Sequence, residues 1–323
     1  MKSKAGWGMA LILAGLCASA WAQSYPAKPV RFLVGFAAGG SVDVLARYYA
    51  QKMSESMGQQ IIIDNRPGAG SNIAGAIVAK ASPDGYSLFV GSAGGLAGNL
   101  AIYQRMPYNP LTDFTPIAVL AYQANILVVN PSLPTKNVKE FIALARSRPA
   151  QINVGSGGNG SSQHMSLEAF MKVAGVKMLH IPYKGGAPAV TDLLGGQIDA
   201  IFAPIPEAMV HLQTGKLRAL GVTGAKRAAA LPNVPPIKEA GLPGYEFDGF
   251  MGLVAPVGLH QDIVTRLNRE VNNALTDNSL KARLLESGLE LGGGTPEQLA
   301  SAMRAQAETM IKLAKDAGIK PVD

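Results

Sequence analysis

Short runs of apolar, often β-branched residues alternate along this chain with longer stretches whose apolar positions recur every three or four residues. The short runs predict buried strands, and the longer stretches predict helices packed over them. Strand 30–34 leads to helix 42–57, which Ser41 or Asp43 starts as a cap, then to strand 61–63 and a small-residue helix over 73–81. Pro83-Asp84-Gly85 makes a turn into strand 86–90. Extended segments follow at 117–120 and 126–129, and then the alternation restarts. Helix 138–147, strand 152–154, helix 162–174 and strand 178–182 come next. Helix 188–194, strand 200–203, helix 206–213 and strand 217–222 continue the pattern. Beyond the proline-rich stretch 231–236, strand 250–255 leads to two helices, over 261–275 and 296–317.

This order predicts an α/β fold with mainly parallel sheets flanked by helices. The restart predicts two lobes, one formed by 23–122 and 250–323 and the other by 123–249. Strands near 121–125 and 247–251 would cross between them, with the C-terminal helices returning to the first lobe. In open α/β sheets ligands sit beyond the carboxyl ends of the strands, so a cleft between the lobes is the expected site.

Three strands end alike. Val34-Gly35 runs into Phe36-Ala37-Ala38-Gly39-Gly40-Ser41-Val42-Asp43, and Val90-Gly91 into Ser92-Ala93-Gly94-Gly95. Val154-Gly155 runs into Ser156-Gly157-Gly158-Asn159-Gly160-Ser161-Ser162-Gln163-His164. A helix start offers unpaired N–H groups and a partial positive charge, and glycine lets a ligand approach the backbone. Gathered round one cleft, such loops make a receptor for a small anion that needs no arginine.

Composition narrows the class. Lys2 and Lys4 precede an apolar run over 9–16, and Ala20-Trp21-Ala22 offers small residues to a signal peptidase. Residues 1–22 are therefore expected to be a signal peptide removed after Ala22, with export of the rest. The run is too short to span a bilayer comfortably, and Leu16 before Cys17 argues against lipidation. Cys17 is the only cysteine, which excludes a disulfide framework, a Cys-ligated zinc and a thiol nucleophile in the exported chain. Stability must come from core burial, for which 323 residues suffice. The net charge is +7, two units of which leave with Lys2 and Lys4. The basic residues are scattered without aromatic interleaving, which argues against nucleic-acid binding.

Several motifs in order resemble the Bug family, the substrate-binding proteins of tripartite tricarboxylate transporters. They are Tyr25-Pro26-Ala27-Lys28-Pro29-Val30-Arg31, the 36–43 loop, Asn65-Arg66-Pro67-Gly68-Ala69-Gly70 and Pro83-Asp84-Gly85-Tyr86. His180-Ile181-Pro182-Tyr183-Lys184-Gly185, Leu194-Gly195-Gly196-Gln197-Ile198-Asp199, Leu231-Pro232-Asn233-Val234-Pro235-Pro236 and Gly252-Leu253-Val254-Ala255-Pro256 extend the match over the exported chain. The resemblance implies a monomeric, non-enzymatic periplasmic receptor of the type II, Venus-flytrap kind, without cofactor or metal. Its ligand would be a dicarboxylate, tricarboxylate, aromatic acid or acidic amino acid, delivered to a two-component membrane permease. The resemblance also implies that loops 36–43 and 156–164 grip the carboxylate through backbone groups and ordered waters. Where the family commonly has a proline, Ala38 stands here, which affects loop stiffness more than the assignment.

The residues expected at the ligand are Phe36, Ala38, Gly39, Gly40, Ser41 and Asp43 in the first loop, and Ser92 and Ala93 in the second. Ser156, Gly157, Gly160, Ser161, Ser162 and His164 come from the third, with Tyr183, Ala203 and Pro204 lining the far side. Phe36 would form the wall for the ligand's hydrocarbon body. Asp43 would repel an anion, which favours a role in orienting the loop over holding a ligand ammonium. Ser41, Ser161 and Ser162 also read as helix caps, His164 as a structural histidine and Lys184 as a solvated cation. Gly155, Gly157 and Gly160 satisfy the dinucleotide pattern G-x-G-x-x-G, but Pro182-Tyr183-Lys184 stands where that pattern needs an acid. A secreted hydrolase of a small ester or amide is the rival reading. It lacks a G-x-S-x-G elbow and an H-E-x-x-H motif.

Overall fold

The computed structural model describes residues 25–318 and 321, so the expected signal peptide lies outside the described residues. The first half follows the predicted alternation: β1 (Val30–Val34), α1 (Ser41–Met57), β2 (Ile61–Asn65), α2 (Asn72–Ala79), β3 (Ser87–Ser92) and α3 (Ala93–Leu96). A long strand follows, β4 (Phe114–Val129), then α4 (Val138–Ser147), β5 (Asn153–Ser156), α5 (Ser162–Ala174), β6 (Leu179–Pro182) and α6 (Gly186–Leu194). Next come β7 (Ala200–Pro204), α7 (Ile205–Gln213), β8 (Arg218–Val222), α8 (Ile237–Ala240) and β9 (Asp248–Pro256). The chain closes with α9 (Gln261–Ala274), α10 (Asn278–Glu286), β10 (Leu289–Gly293) and α11 (Pro296–Ala317).

The strands form one curled, mixed sheet in the order β2-β1-β3-β9-β4-β7-β5-β6. The outer strands are parallel, β1 with β2 and β3 on one side, β5 with β6 and β7 on the other. Antiparallel pairing enters between them. The amino half of β4 lies between β9 and β10, and its carboxyl half between β7 and β8. The change of partners falls between Ala124 and Asn125, inside the stretch expected to cross.

Alternating strand residues fill opposite faces, as the pleat requires. Phe32 and Val34 pack under α1, α9 and α10 with Tyr49, Leu267 and Leu284, while Leu33 points the other way with Phe89, Val254 and Leu299. Beyond the crossing, Leu127 and Val129 pack with Phe141, Phe170 and Phe202, and Ile126 and Val128 with Val190, Leu193 and Ala208. The long helix α11 belongs to both halves. Leu299 and Met303 join the first, Met310 and Ala314 the second, and Lys172 on α5 pairs with Asp316 at 2.6 Å. The expected return of the C-terminal helices to the first lobe is therefore only part of their packing.

Two differences from the sequence reading have physical causes. The segments at 117–120 and 126–129 are one strand, because the polar Gln123 and Asn125 that interrupt the apolar run are themselves buried. Asn125 Nδ2 donates to Ser166 Oγ at 2.9 Å, and its backbone N–H donates to Thr223 Oγ1 at 2.8 Å. Strand β10 ends in Gly292 and Gly293, which carry no apolar signal.

Candidate functional site

Four helices of nine residues or more begin around one small cavity: α1, α5, α6 and α7. Gly40, Ser41 and Val42 line it from α1, Ser161, Ser162 and Gln163 from α5, Gly185, Gly186 and Ala187 from α6, and Pro204 and Glu207 from α7. Phe36, Ala37, Ser92 and Gln123 complete the wall. Each helix follows a strand, so the sheet delivers all four starts to its carboxyl edge. The N-caps Gly40, Gly185 and Pro204 provide no side-chain cap. Their first-turn N–H groups, which Pro188 and Pro206 lack, thus have no local side-chain cap, and four positive dipole ends converge on the cavity. None of the lining residues is a lysine or arginine. The cavity volume is about 20 Å³, which is room for about one water molecule. The cleft is closed.

One side chain spans the cavity. Glu207 reaches from α7 across the cavity, and its Oε1 accepts the Ser41 N–H at 3.0 Å. Gln163 Nε2 donates to its Oε2 at 3.4 Å. Burial pushes the Glu207 carboxyl up to about 7, although the N–H and hydroxyl of Ser41 partly hold it down. Gly186 makes the fit possible, since a Cβ there would stand 1.8 Å from Glu207 Oε2 and 2.4 Å from Gln163 Nε2. Among the described residues, Gln163 Oε1 and Ser92 Oγ are buried without a hydrogen-bond partner.

Of the residues expected at the ligand, the structure brings Phe36, Gly40, Ser41, Ser92, Ser161, Ser162 and Pro204 to the cavity. Ala38 and Gly39 are exposed beside it. Asp43 is buried behind the loop, where its carboxylate accepts from Gly39 N, Arg47 Nε and Asn65 Nδ2, each at 2.9 Å. Burial alone would raise its pKa, but Arg47 and these N–H donors outweigh it and hold the group below the usual carboxylate range. That geometry is the orienting role, with the guanidinium already occupying the acid. Ala93 and Ala203 are core residues.

The third loop turns most of its polar groups inward. Ser156 Oγ bonds His180 Nε2 at 2.5 Å and accepts from Gly158 N at 3.1 Å. His164 Nδ1 accepts from Gly160 N at 3.1 Å, its ring stacks on His180 with centroids 4.0 Å apart, and its Nε2 lies 3.3 Å from Glu168. Burial, with His164 alongside, pushes His180 down to about 3. Gly160 is held at φ +76°, and a Cβ there would stand 1.9 Å from Asn99 Oδ1. It lets two parts of the protein pack, and it does not line the cavity. Gly157 and Tyr183 line a separate hollow of about 190 Å³ with Gly70, Asn159 and Lys184. The Tyr183 hydroxyl donates to Asp192 Oδ2 at 2.7 Å.

The sequence reading missed Gln163, Gly185, Gly186 and Glu207. Strand β6 ends in Ile181-Pro182, without the Val-Gly signature, and α6 begins at Gly186, ahead of the expected start at Pro188. Glu207 reads as an ordinary first-turn acid until the fold aims it across the cavity.

A mixed α/β sheet with helix starts gathered at a cleft is the architecture of a periplasmic solute-binding protein. The chain belongs to the tripartite tricarboxylate transporter receptor family: the family model TctC, "Tripartite tricarboxylate transporter family receptor", matches residues 45–319. Protein BugT of Bordetella pertussis is 32% identical over 314 residues, covering 97% of this chain and 96% of its own. The structure is similar to that of R. palustris Rpa4515 with adipate, with a TM-score of 0.90, 41% identity, and 92% of this chain and 100% of that one covered. It is also similar to MatC (Rpa3494) from Rhodopseudomonas palustris with bound malate, with a TM-score of 0.86, 32% identity, and coverages of 90% and 100%.

Proposed function

We propose that this protein is a periplasmic receptor that captures a small organic carboxylate in the cleft and presents it to a membrane permease, with no chemistry of its own. The convergence of four helix starts on one cavity without a basic side chain carries this reading. N–H groups at the starts of α1 and α6 would hold the carboxylate, and Phe36 would meet the ligand body. A cavity of about 20 Å³ means that ligand enters by opening of a hinge, for which the β4 and β9 crossings are the natural place. Division into lobes 23–122 plus 250–323 and 123–249 follows the change of partners along β4, with α11 bridging both. Among the described residues no helix is long and apolar enough to cross a membrane. Export as a monomer after cleavage at Ala22 completes the proposal.

A thermal-shift panel of dicarboxylates, tricarboxylates, aromatic acids and amino acids tests it. A ligand at a hundred times its dissociation constant should stabilise the protein by about 2.7 kcal/mol. Turnover of small esters or amides, with no shift from any carboxylate, would establish the hydrolase instead.

A further inference from the structure

We propose that Glu207 sets the ligand class: the cleft takes a carboxylate that also carries an N–H or ammonium donor, and disfavours the dicarboxylate of matching length. This rests on the receptor reading above and deepens it. The Ser41 N–H is a donor that a ligand carboxylate at α1 would take, and Glu207 holds it across the cavity. A ligand that displaces Glu207 leaves its half-buried carboxylate short of donors, and a charge partly withdrawn from water without a partner is costly. The same wall carries a further acceptor without a donor among the described residues, Gln163 Oε1, in a residue only 4% exposed. An N–H or ammonium group on the ligand would satisfy Glu207 and Gln163 together. A second carboxylate would face them as a like charge or an unpaired acceptor.

The charged groups on the packed elements are engaged elsewhere. Asp43 pairs with Arg47 on α1, His164 lies against Glu168 on α5, and Asp192 accepts from Tyr183 at α6. Lys184 lines the separate hollow, and His211 sits in the last turn of α7. A dicarboxylate therefore has one remaining route, binding with a proton taken up by Glu207, which is disfavoured above neutral pH.

Calorimetric titration of the purified exported chain at about pH 8 tests the proposal with two matched pairs, adipate against ε-aminocaproate and succinate against aspartate. The amino member of at least one pair should bind about tenfold tighter or better, the worth of one hydrogen bond to a charged group. Glu207→Gln should bring the members of that pair to within about threefold of each other. Dicarboxylates binding as tightly as their amino partners in wild type would overturn the proposal without any variant. A preference that Glu207→Gln leaves unchanged, in protein whose melting shows it folded, would overturn it too. Failure of every carboxylate, in these pairs and in the wider panel, would overturn the receptor reading as well.

Discussion

The first and third Val-Gly loops share a vocabulary of small residues and behave differently. Loop 36–43 spends the N–H groups of Gly39 and Gly40 on Asp43 and Ala37 and keeps the Ser41 N–H for Glu207 across the cavity. Loop 156–164 spends its polar groups on itself, through Ser156, Gly158, Gly160 and the stacked histidines. Only Ser161, Ser162 and Gln163, at its very end, reach the cavity. A glycine-rich loop before a helix is thus a supply of N–H groups, and the neighbouring side chains decide whether that supply is offered or consumed. On the proposed reading one loop would be the grip, and the other a buttress that fixes where α5 begins.

The largest expected effect comes from a residue opposite the grip. Gly186→Ala places a Cβ 1.8 Å from Glu207 Oε2, so the ends of the Glu207 and Gln163 side chains must turn aside. Both are flexible side-chain ends, so the cost sits at the low end for overpacking, about 1–1.5 kcal/mol, which read as affinity is about a tenfold loss. Calorimetry against the best carboxylate from the panel measures it, and Glu207→Ser in the same chain should restore most of the loss. Gly160→Ala, on the buttress, should instead lower the melting temperature through its positive φ and its clash with Asn99, with affinity per folded molecule kept. If the two variants exchange these phenotypes, the division into grip and buttress is wrong.

The two regions also titrate in opposite directions. His180, behind the buttress, falls from 6.5 to about 3, so between those values the unfolded chain binds the extra proton. Its contribution is complete above about 6.5 and is lost as pH falls towards 3. Glu207, facing the grip, rises from 4.5 to about 7, so there the folded chain holds the extra proton. Its contribution is complete below 4.5 and is lost as pH rises through 7. Each group can tilt the stability curve by at most about 1.4 kcal/mol per pH unit within its window. Urea unfolding across this range should show a flatter acid limb in His180→Gln and a flatter neutral limb in Glu207→Gln. Parallel limbs in wild type and both variants would mean that neither group is held as its burial implies.

The strand and helix order was legible because apolar periodicity reports burial, and nearly every strand in the outer parts of the sheet obeys it. The crossing was less so. A crossing strand was expected at 121–125, but between two separate extended segments, and only the partners of Gln123 and Asn125 across the sheet show one continuous strand. At the site, Phe36, Gly40, Ser41, Ser92 and Pro204 could be found from loops at strand ends. Glu207 and Gly186 could not, because their role depends on facing each other across the cavity, a relation with no local spacing. His164 reads in the sequence both as a ligand contact and as a structural histidine, because a histidine near such a loop looks the same whether its ring turns out to the cleft or in to Gly160 and His180.

The smallest effects make the sharpest test, because two serines in the same apparent position part company. Ser161 is the N-cap of α5, and its Oγ accepts the His164 N–H at 3.3 Å. Ser41 is not a cap, because Gly40 holds that place on α1 and leaves the Ser41 hydroxyl to the cleft. Ser161→Ala should therefore cost about 1 kcal/mol of stability, as loss of a cap does, and leave ligand affinity nearly unchanged. Ser41→Ala should leave the melting temperature nearly unchanged and weaken carboxylate binding by a few-fold up to about tenfold, the worth of one hydrogen bond. Melting and titration of the two variants side by side give four numbers. An affinity loss in Ser161→Ala equal to that in Ser41→Ala would return the third loop to the grip. Stability losses of equal size would make both serines caps, and the contrast between the loops would then rest on Gly186 and Glu207 alone.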